Sequence, residues 1–442
     1  MAAKRVIIIG GGFAGLAAGV ALSHAGDEVL LLERRSFLGG RAYSFRDPVT
    51  DDVVDNGQHL FMGCYKHTVA LLEKIGCLDR LRFQDKPHVD FLDRENGFTS
   101  FECPPLPAPI HVIAGLFAMK GLSVGDKFRA FKVGRAIQKN GRPGQAPLSV
   151  SDWLDRLGQS QRMKERFWYP MAVATLNESP EIASAAMMKV VLKEAFGRDT
   201  KSSAIGIARV GLSDLYTEGA RAFIEARGGE VRTGAQVSKL VIERNKVMAV
   251  ESKDGRRVEA DYFISAVPHS AFLQIIPDAL RNDQFRALAS LESSPIVSIN
   301  LWFDRPVIDR EFVGLIGTES QWIFNKDLIV KPSRQANQIA VIISAARKFV
   351  DRTKEQLIEM ALAELNELLP ESRSAKLLHS RIIKEREATL SHTIESDRIR
   401  PGPRTTISNL ILAGDWTATG LPATIESAVI SGDIAARIVA EG

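Results

Sequence analysis

The chain has 442 residues, with 57 Lys+Arg against 53 Asp+Glu, a formal net charge of +4 and 45% hydrophobic residues. An ordinary apolar fraction with balanced charge excludes general disorder and suits a soluble protein of two or three domains. The slight basic excess carries no run of five or more like charges, so a nucleic-acid footprint is not supported.

The first elements read as strand, turn, helix, strand. Val6 to Gly26 spans 21 residues without a charge and could pass for a signal peptide or membrane span. Its glycines argue otherwise. Val6–Ile9 is a β-branched strand, a helix runs from about Ala14 to Ala25, and Glu28–Leu32 is a second strand. The turn between Gly10 and Gly15 reads GGGFAG and satisfies G-x-G-x-x-G. Glu33 ends the second strand 18 residues later, the context of a dinucleotide-binding turn. Gly10 permits the tight turn, Gly12 lets backbone approach a pyrophosphate, and Gly15 lets helix and strand pack closely. The helix N-terminus offers free N–H groups to phosphate. Glu33 suits a ribose 2′-hydroxyl and disfavours a 2′-phosphate. A second glycine pair, Gly39-Gly40, precedes Arg41, which can pair with phosphate. This extra clamp suits an extended cofactor such as FAD.

Asp55-Asn56-Gly57-Gln58-His59 is a polar turn between apolar stretches, a place for site residues, although a lone His59 also reads as structural. Residues 103–119 hold 17 uncharged residues, broken by four prolines. Ile110–Leu122 then reads as a short apolar helix with Ile110, Ile113, Leu116 and Phe117 on one stripe. It reads equally as lid, membrane-interface segment or core helix. Lys120, Lys127, Arg129, Lys132 and Arg135 follow and would suit anionic headgroups. Gly141–Pro147 is a turn-rich loop, and Ser151–Leu157 and Gln161–Tyr169 look helical. The three cysteines, Cys64, Cys77 and Cys103, are odd in number and widely spaced. They read as packed thiols in a reducing cytoplasm, without a disulfide framework or metal site.

Residues 212–268 return to β character, with a helix Ala220–Arg227, a strand at Glu230–Arg232, hairpins over Val237–Glu243, Val247–Lys253 and Arg256–Ala260, and a buried strand Tyr262–Ala266. Residues 286–395 offer strands Ile296–Phe303 and Gln338–Ser344 and an amphipathic helix Thr353–Leu369. The last stretch reads GDWTATGLPATIESAVISG. A strand Asn409–Ala413 feeds Gly414-Asp415, and a helix begins near Thr424. Asp415 can accept from ribityl hydroxyls, and N–H groups near Thr424 and Ile425 can face the electron-rich edge of a flavin.

GGGFAGLAAG, Glu33, GGRAYS and a late GDW…PAT-x-ESA helix together resemble the FAD-dependent amine oxidase/phytoene desaturase superfamily. DNGQHLFMGCY, the LPAPIH segment and the final motif are similar to its squalene-associated group, the hydroxysqualene dehydroxylases. The resemblance spans nearly the whole chain. It implies an α/β fold, a Rossmann-type FAD-binding domain with an inserted α+β substrate domain. Residues 1–85, 212–285 and 396–442 would bind FAD, and 86–211 and 286–395 would bind substrate. By motif, Gly10, Gly12, Ala14 and Gly15 would hold pyrophosphate, with Glu33 on the ribose and Arg34 beside it. Gly40 and Arg41 would serve the phosphates. The Val237 backbone would meet adenine, and Gly414 and Asp415 the ribityl–phosphate region. Gly57, Gln58 and His59 would lie by the isoalloxazine ring, as would Ala423, Thr424 and Ile425.

The implied reaction removes the hydroxyl of hydroxysqualene and adds a hydride from reduced flavin, giving squalene in hopanoid biosynthesis. It needs an apolar tunnel, a proton donor and exclusion of water. His59 is the first candidate donor, with Glu178 and Tyr169 behind it; each also reads as structural. NADPH, directly or through another protein, would supply electrons, since no second nicotinamide fingerprint occurs. Implied partners are a long apolar isoprenoid, the inner face of the cytoplasmic membrane and other squalene-pathway enzymes. Three other readings share the fold: a carotenoid desaturase or isomerase, an amine oxidase (weakened by the lack of a late flavin-loop cysteine), and an isoprenoid-binding protein with structural FAD.

Overall fold

The computed structural model describes residues 3–138, 146–330 and 337–442, so residues 141–145 of the expected loop at 141–147 lie outside it. Val6 to Ile9 alternate between two cores, as a strand of period two buried on both faces must. Val6 and Ile8 pack into one apolar cluster and Ile7 and Ile9 into another. The sheet is parallel and five-stranded, in the order Glu230–Arg232, Glu28–Leu32, Arg5–Ile9, Tyr262–Ser265, Leu410–Leu412. Val6 lies opposite both Val29 and Tyr262. Its strands come from three separated stretches of chain. Helices Phe13–Ala25, Leu212–Glu225 and Ile425–Glu441 contribute to the core on one face. The antiparallel sheet Val237–Glu243, Lys246–Ser252, Arg257–Glu259 packs on the other. The first and last helices touch closely: a Cβ on Gly432 would stand 2.4 Å from the Ala14 carbonyl oxygen.

A mixed seven-stranded sheet lies beyond, in the order Leu377–Leu390, Ser293–Phe303, Asn337–Ile343, Trp322–Asn325, Phe312–Leu315, His88–Asp93, Gly97–Glu102. Helix Lys354–Leu368 covers it, with the Thr353–Gln356 capping box at its start. Residues 110–138 and 146–196 are mainly helical around one apolar cluster. The helix expected over Gln161–Tyr169 is interrupted. A short turn at Gln161–Met163 passes into a π segment, Lys164–Trp168, before helix Tyr169–Leu176. Pro170 has no N–H for the Arg166 carbonyl, which removes one α-helical bond there. Both basic side chains of the π segment are buried, Lys164 on Asp155 at 2.7 Å and Arg166 on Asp93 at 2.7 Å. The apolar segment forms helix Ile110–Ala118 with Leu116 in the core, not on an outward stripe with Ile110. No helix among the described residues is long and apolar enough to cross a membrane.

Asp47 fastens the turn between strands Ser44–Arg46 and Val53–Asp55 to the long strand Leu377–Leu390. Burial alone would raise its pKa. The amides of Val49 and Thr50 and the Arg381 guanidinium at 2.8 Å outweigh burial and hold it at about 2. A depressed carboxyl stabilises the fold above its unfolded pKa and loses that contribution as pH falls through the folded value. Asp47→Asn should therefore lower stability by about 2 kcal/mol at pH 7 and by nothing at pH 1.5. Chemical denaturation at both pH values checks this; an equal loss at both would refute it.

Candidate functional site

A cavity of about 740 Å³ runs from the glycine turn into the seven-stranded sheet and the helical cluster. Every cofactor residue expected from sequence lines it except Gly15. Gly15 acts behind the wall. Its Cβ position is 1.9 Å from the Gly10 carbonyl oxygen, so the helix can start this close to the strand only with glycine there. The two glycine loops face each other, and a Cβ on Gly40 would stand 3.0 Å from the Gly12 Cα. Gly40 also has φ +57°. This is a cradle built from bare backbone. The adjoining helix has Gly12 at its N-cap, without a side-chain cap, leaving first-turn N–H groups for a ligand.

Glu33 is buried at the base of the cradle. It accepts the Gly11 N–H at 2.7 Å and the Arg35 N–H at 2.8 Å, and each carboxylate oxygen retains lone-pair capacity for a ribose hydroxyl. Arg34 is exposed at the cavity wall. Arg41 and Asp415, expected on different parts of a cofactor, are ion-paired with each other.

The late loop is held by residues that no motif revealed. Arg400 is buried and donates to the carbonyls of Thr417 at 2.6 Å, Asp415 at 2.7 Å and Leu421 at 2.8 Å, with Trp416 at 3.4 Å. Burial lowers its pKa, opposed by Asp397 and Asp415. His392, also buried, accepts the Ala423 N–H through Nε2 at 2.6 Å and faces Asp397 through Nδ1 at 3.1 Å. The Ala423 amide is therefore engaged, and Ala423 offers wall surface to the cavity. Thr424 caps the last helix, accepting from Ser427 N, and the Ile425 and Glu426 amides are the ones with no acceptor in their own helix. Buried Glu426 in turn accepts from the amides of His67 and Thr68, both at 2.9 Å, tying helix Lys66–Lys74 to this loop.

His59 lines the cavity beside Gly57 and Gln58. Burial lowers its pKa, partly offset by Asp55, so the imidazole is neutral at neutral pH. The other two candidate acids lie outside the wall. Glu178 is buried on Arg347 at 2.6 Å and Ser391, and its charge is spent there. The Tyr169 hydroxyl bonds Ser151 at 2.8 Å. The remainder of the cavity is largely apolar, including Phe91, Phe101, Phe167, Met171, Phe196 and Trp322.

A bare-backbone cradle, a buried carboxylate and a helix N-terminus at the far loop fit a flavin dinucleotide. Residues 13–440 match the family of flavin-containing amine oxidoreductases. The chain belongs to this family. It is an FAD-dependent oxidoreductase. It is 30% identical to the hydroxysqualene dehydroxylase of Rhodopseudomonas palustris, over 99% of this chain and 98% of that one. That of Sinorhizobium fredii is also 30% identical, over 98% of each chain. The 15-cis-phytoene desaturase of Synechococcus elongatus is 24% identical, over 98% of this chain and 95% of the relative. The resemblance read from the motifs thus holds for the family and for its squalene-associated group. Among solved structures, an oxidoreductase from Methanosarcina mazei superposes with TM-score 0.77 at 19% identity, covering 99% of this chain and all (100%) of that one. Putrescine oxidase bound to putrescine gives 0.73 at 15% identity, with full (100%) coverage of both chains. These share the α/β fold.

Proposed function

We propose that the protein reduces hydroxysqualene to squalene. The observation that carries this reading is the single cavity in which the backbone cradle continues into a long apolar chamber. The 30% identity to hydroxysqualene dehydroxylases supports the choice of substrate. Gly10, Gly12, Ala14, Glu33, Arg34, Gly40, Arg41, Val237, Gly414 and Asp415 would hold FAD, and Gly57, Gln58, His59, Thr424 and Ile425 would border its ring. Residues 1–85, 212–285 and 396–442 form the cofactor-binding part in this reading, and 86–211 and 286–395 the substrate part. Reduced flavin supplies a hydride. The protein's share is to exclude water with apolar walls, to hold the allylic carbon in place and to give a proton, through His59, to the departing hydroxyl. NADPH, directly or through a partner, is the proposed source of electrons.

Anaerobic incubation of the dithionite-reduced protein with hydroxysqualene should yield squalene and return the oxidised flavin spectrum. No squalene from a protein with a redox-active flavin would overturn the reading. The second reading is carotenoid-type desaturation, favoured by the relatives named 15-cis-phytoene desaturase. Co-expression with a phytoene source would change pigment only in that case.

A place at the inner face of the cytoplasmic membrane, near the enzymes that make and use squalene, is part of the proposal. Leu106, Ile110, Val124, Phe128 and Phe131 are exposed, and the Phe117, Phe128 and Phe131 rings cluster with centroids 5.4–6.2 Å apart. Lys120, Arg129, Lys132 and Arg135 are exposed on the same stretch of chain. Exposed aromatic side chains beside cations suit an anionic bilayer. Phe128→Asp with Phe131→Asp should abolish co-sedimentation with phosphatidylglycerol vesicles while flavin content stays unchanged. Undiminished binding would refute the role. Leu116→Asp would act differently: Leu116 is 6% exposed, and its substitution breaks the helical core.

A further inference from the structure

Behind His59 lies a charged pair that the binding of FAD and an apolar substrate does not call for. Asp55 ends strand Val53–Asp55, and Lys326 begins the helix after strand Trp322–Asn325. Their side chains are 5% and 3% exposed, and Nζ stands 2.6 Å from the carboxylate. The Gln58 side chain joins them, donating to Asp55 at 3.2 Å and accepting from Lys326 at 3.3 Å. The other Asp55 oxygen accepts the Leu212 N–H at 3.0 Å. A pair this deep adds little net stability, because desolvation offsets the attraction.

Its position is what suggests a role. A second, small cavity of about 10 Å³ is lined by Asp55, Gln58, His59 and Lys326 among apolar neighbours. That is the room one water needs, with enough polar partners to hold it. Gln58 and His59 line both cavities, so they form the partition between the charged pair and the large chamber. Lys326 uses two of its three N–H donors on Asp55 and Gln58, and the third has no acceptor among the described residues. A neutral imidazole in such a partition can take a proton on one ring nitrogen and release one from the other.

We propose that Lys326, with Asp55 and Gln58, is a proton store behind His59 that replaces the proton His59 gives to the departing hydroxyl. The inference rests on the dehydroxylase reading. The balance is simple. The C–O bond breaks and the hydroxyl leaves with one proton as water. The new C–H bond takes a hydride, so the carbon is reduced and the flavin oxidised. The Lys326 ammonium passes a proton through one water to the imidazole and regains it from solvent after turnover. Asp55 aims the ammonium at the small cavity; Asp55 and Lys326 are positioning residues.

The test uses the flavin-loaded protein with 15N-labelled histidine, the His59 signals being assigned by their loss in His59→Gln. Asp55→Asn with Lys326→Met removes both charges and leaves neither ion buried alone; Gln58→Leu removes only the amide link. Both should shift the His59 ring resonances at fixed pH. Both should slow single-turnover flavin reoxidation by hydroxysqualene, the double variant by about 100-fold with its flavin content and substrate affinity kept. Unmoved His59 resonances, or wild-type reoxidation rates in either folded variant, would overturn the relay. A wild-type protein that forms no squalene would overturn the functional reading itself, before any variant is compared.

Discussion

Gly40→Val should fold and purify nearly free of flavin, with affinity for FAD lowered about 100-fold. At φ +57° an L side chain is strained, and its Cβ would stand 3.0 Å from the Gly12 Cα across the cradle. Left-handed backbone costs about 1–2 kcal/mol, and forced overpacking about 1–3 kcal/mol more. Together these amount to about two orders of magnitude in a binding constant. The loop borders the cavity and is half-buried, so the damage stays local. Gly15→Val is the contrasting case. Its Cβ would lie 1.9 Å from the Gly10 carbonyl oxygen, inside the strand–helix junction. That variant should lose the cofactor and also about 3 kcal/mol or more of stability. The flavin-to-protein absorbance ratio at purification and a denaturant titration of each apoprotein separate the two effects. Full flavin occupancy in Gly40→Val would show that the two glycine loops do not enclose the phosphates.

Arg400→Met should lose about 3–5 kcal/mol of stability and most of its flavin, although it touches no residue of the N-terminal turn. The guanidinium is the common donor to four carbonyls of the GDWTATGL stretch. Without it the Leu421 and Trp416 oxygens lose their donor, the Asp415 and Thr417 oxygens keep only Ser427 Oγ and the Thr419 N–H, and Asp415 and the start of the last helix lose their relative placement. Arg400→Lys should fail to restore binding, because one ammonium with three N–H groups cannot replace a planar fork that reaches four acceptors. Thermal melts with and without added FAD check both variants. A melting temperature within about 2 °C of wild type in Arg400→Met would contradict the assignment.

What could be read from sequence was local or strongly periodic. The strands Arg5–Ile9 and Glu28–Leu32, the glycine turn and the loop into helix Ile425–Glu441 all carry their signal within a few neighbouring residues. Sixteen of the 17 expected cofactor residues meet in one cavity, because backbone contact with phosphate restricts residue type at fixed spacings. Of the seven-stranded sheet only strands Ser293–Phe303 and Asn337–Ile343 were legible. Its pairing of His88–Asp93 with Phe312–Leu315 joins residues more than 200 positions apart, and no local pattern encodes such a partner. Strand Leu377–Leu390 contains Lys384-Glu385-Arg386-Glu387, whose charges mask alternation because much of it is only half-buried. Arg400, His392 and Lys326 were illegible for another reason. Each is a single polar residue whose meaning lies in what the fold sets around it. Leu116 and Phe117 are neighbours in sequence and differ in fate, since successive residues point about 100° apart around a helix and only Leu116 meets the core.

The last helix packs so tightly on the first that Gly432 leaves no room for a methyl group beside Ala14, and that fit sets an order of events on the ribosome. A nascent chain that has passed the exit tunnel through Ser265 holds four of the five parallel strands and the whole glycine cradle, yet neither Asp415 nor the helix Ile425–Glu441. In the proposed arrangement, capture of FAD waits for the final segment of synthesis, because residues 414–428 complete the cavity wall, and an interrupted polypeptide is left with an open apolar chamber, the kind of surface that chaperones retain and proteases clear.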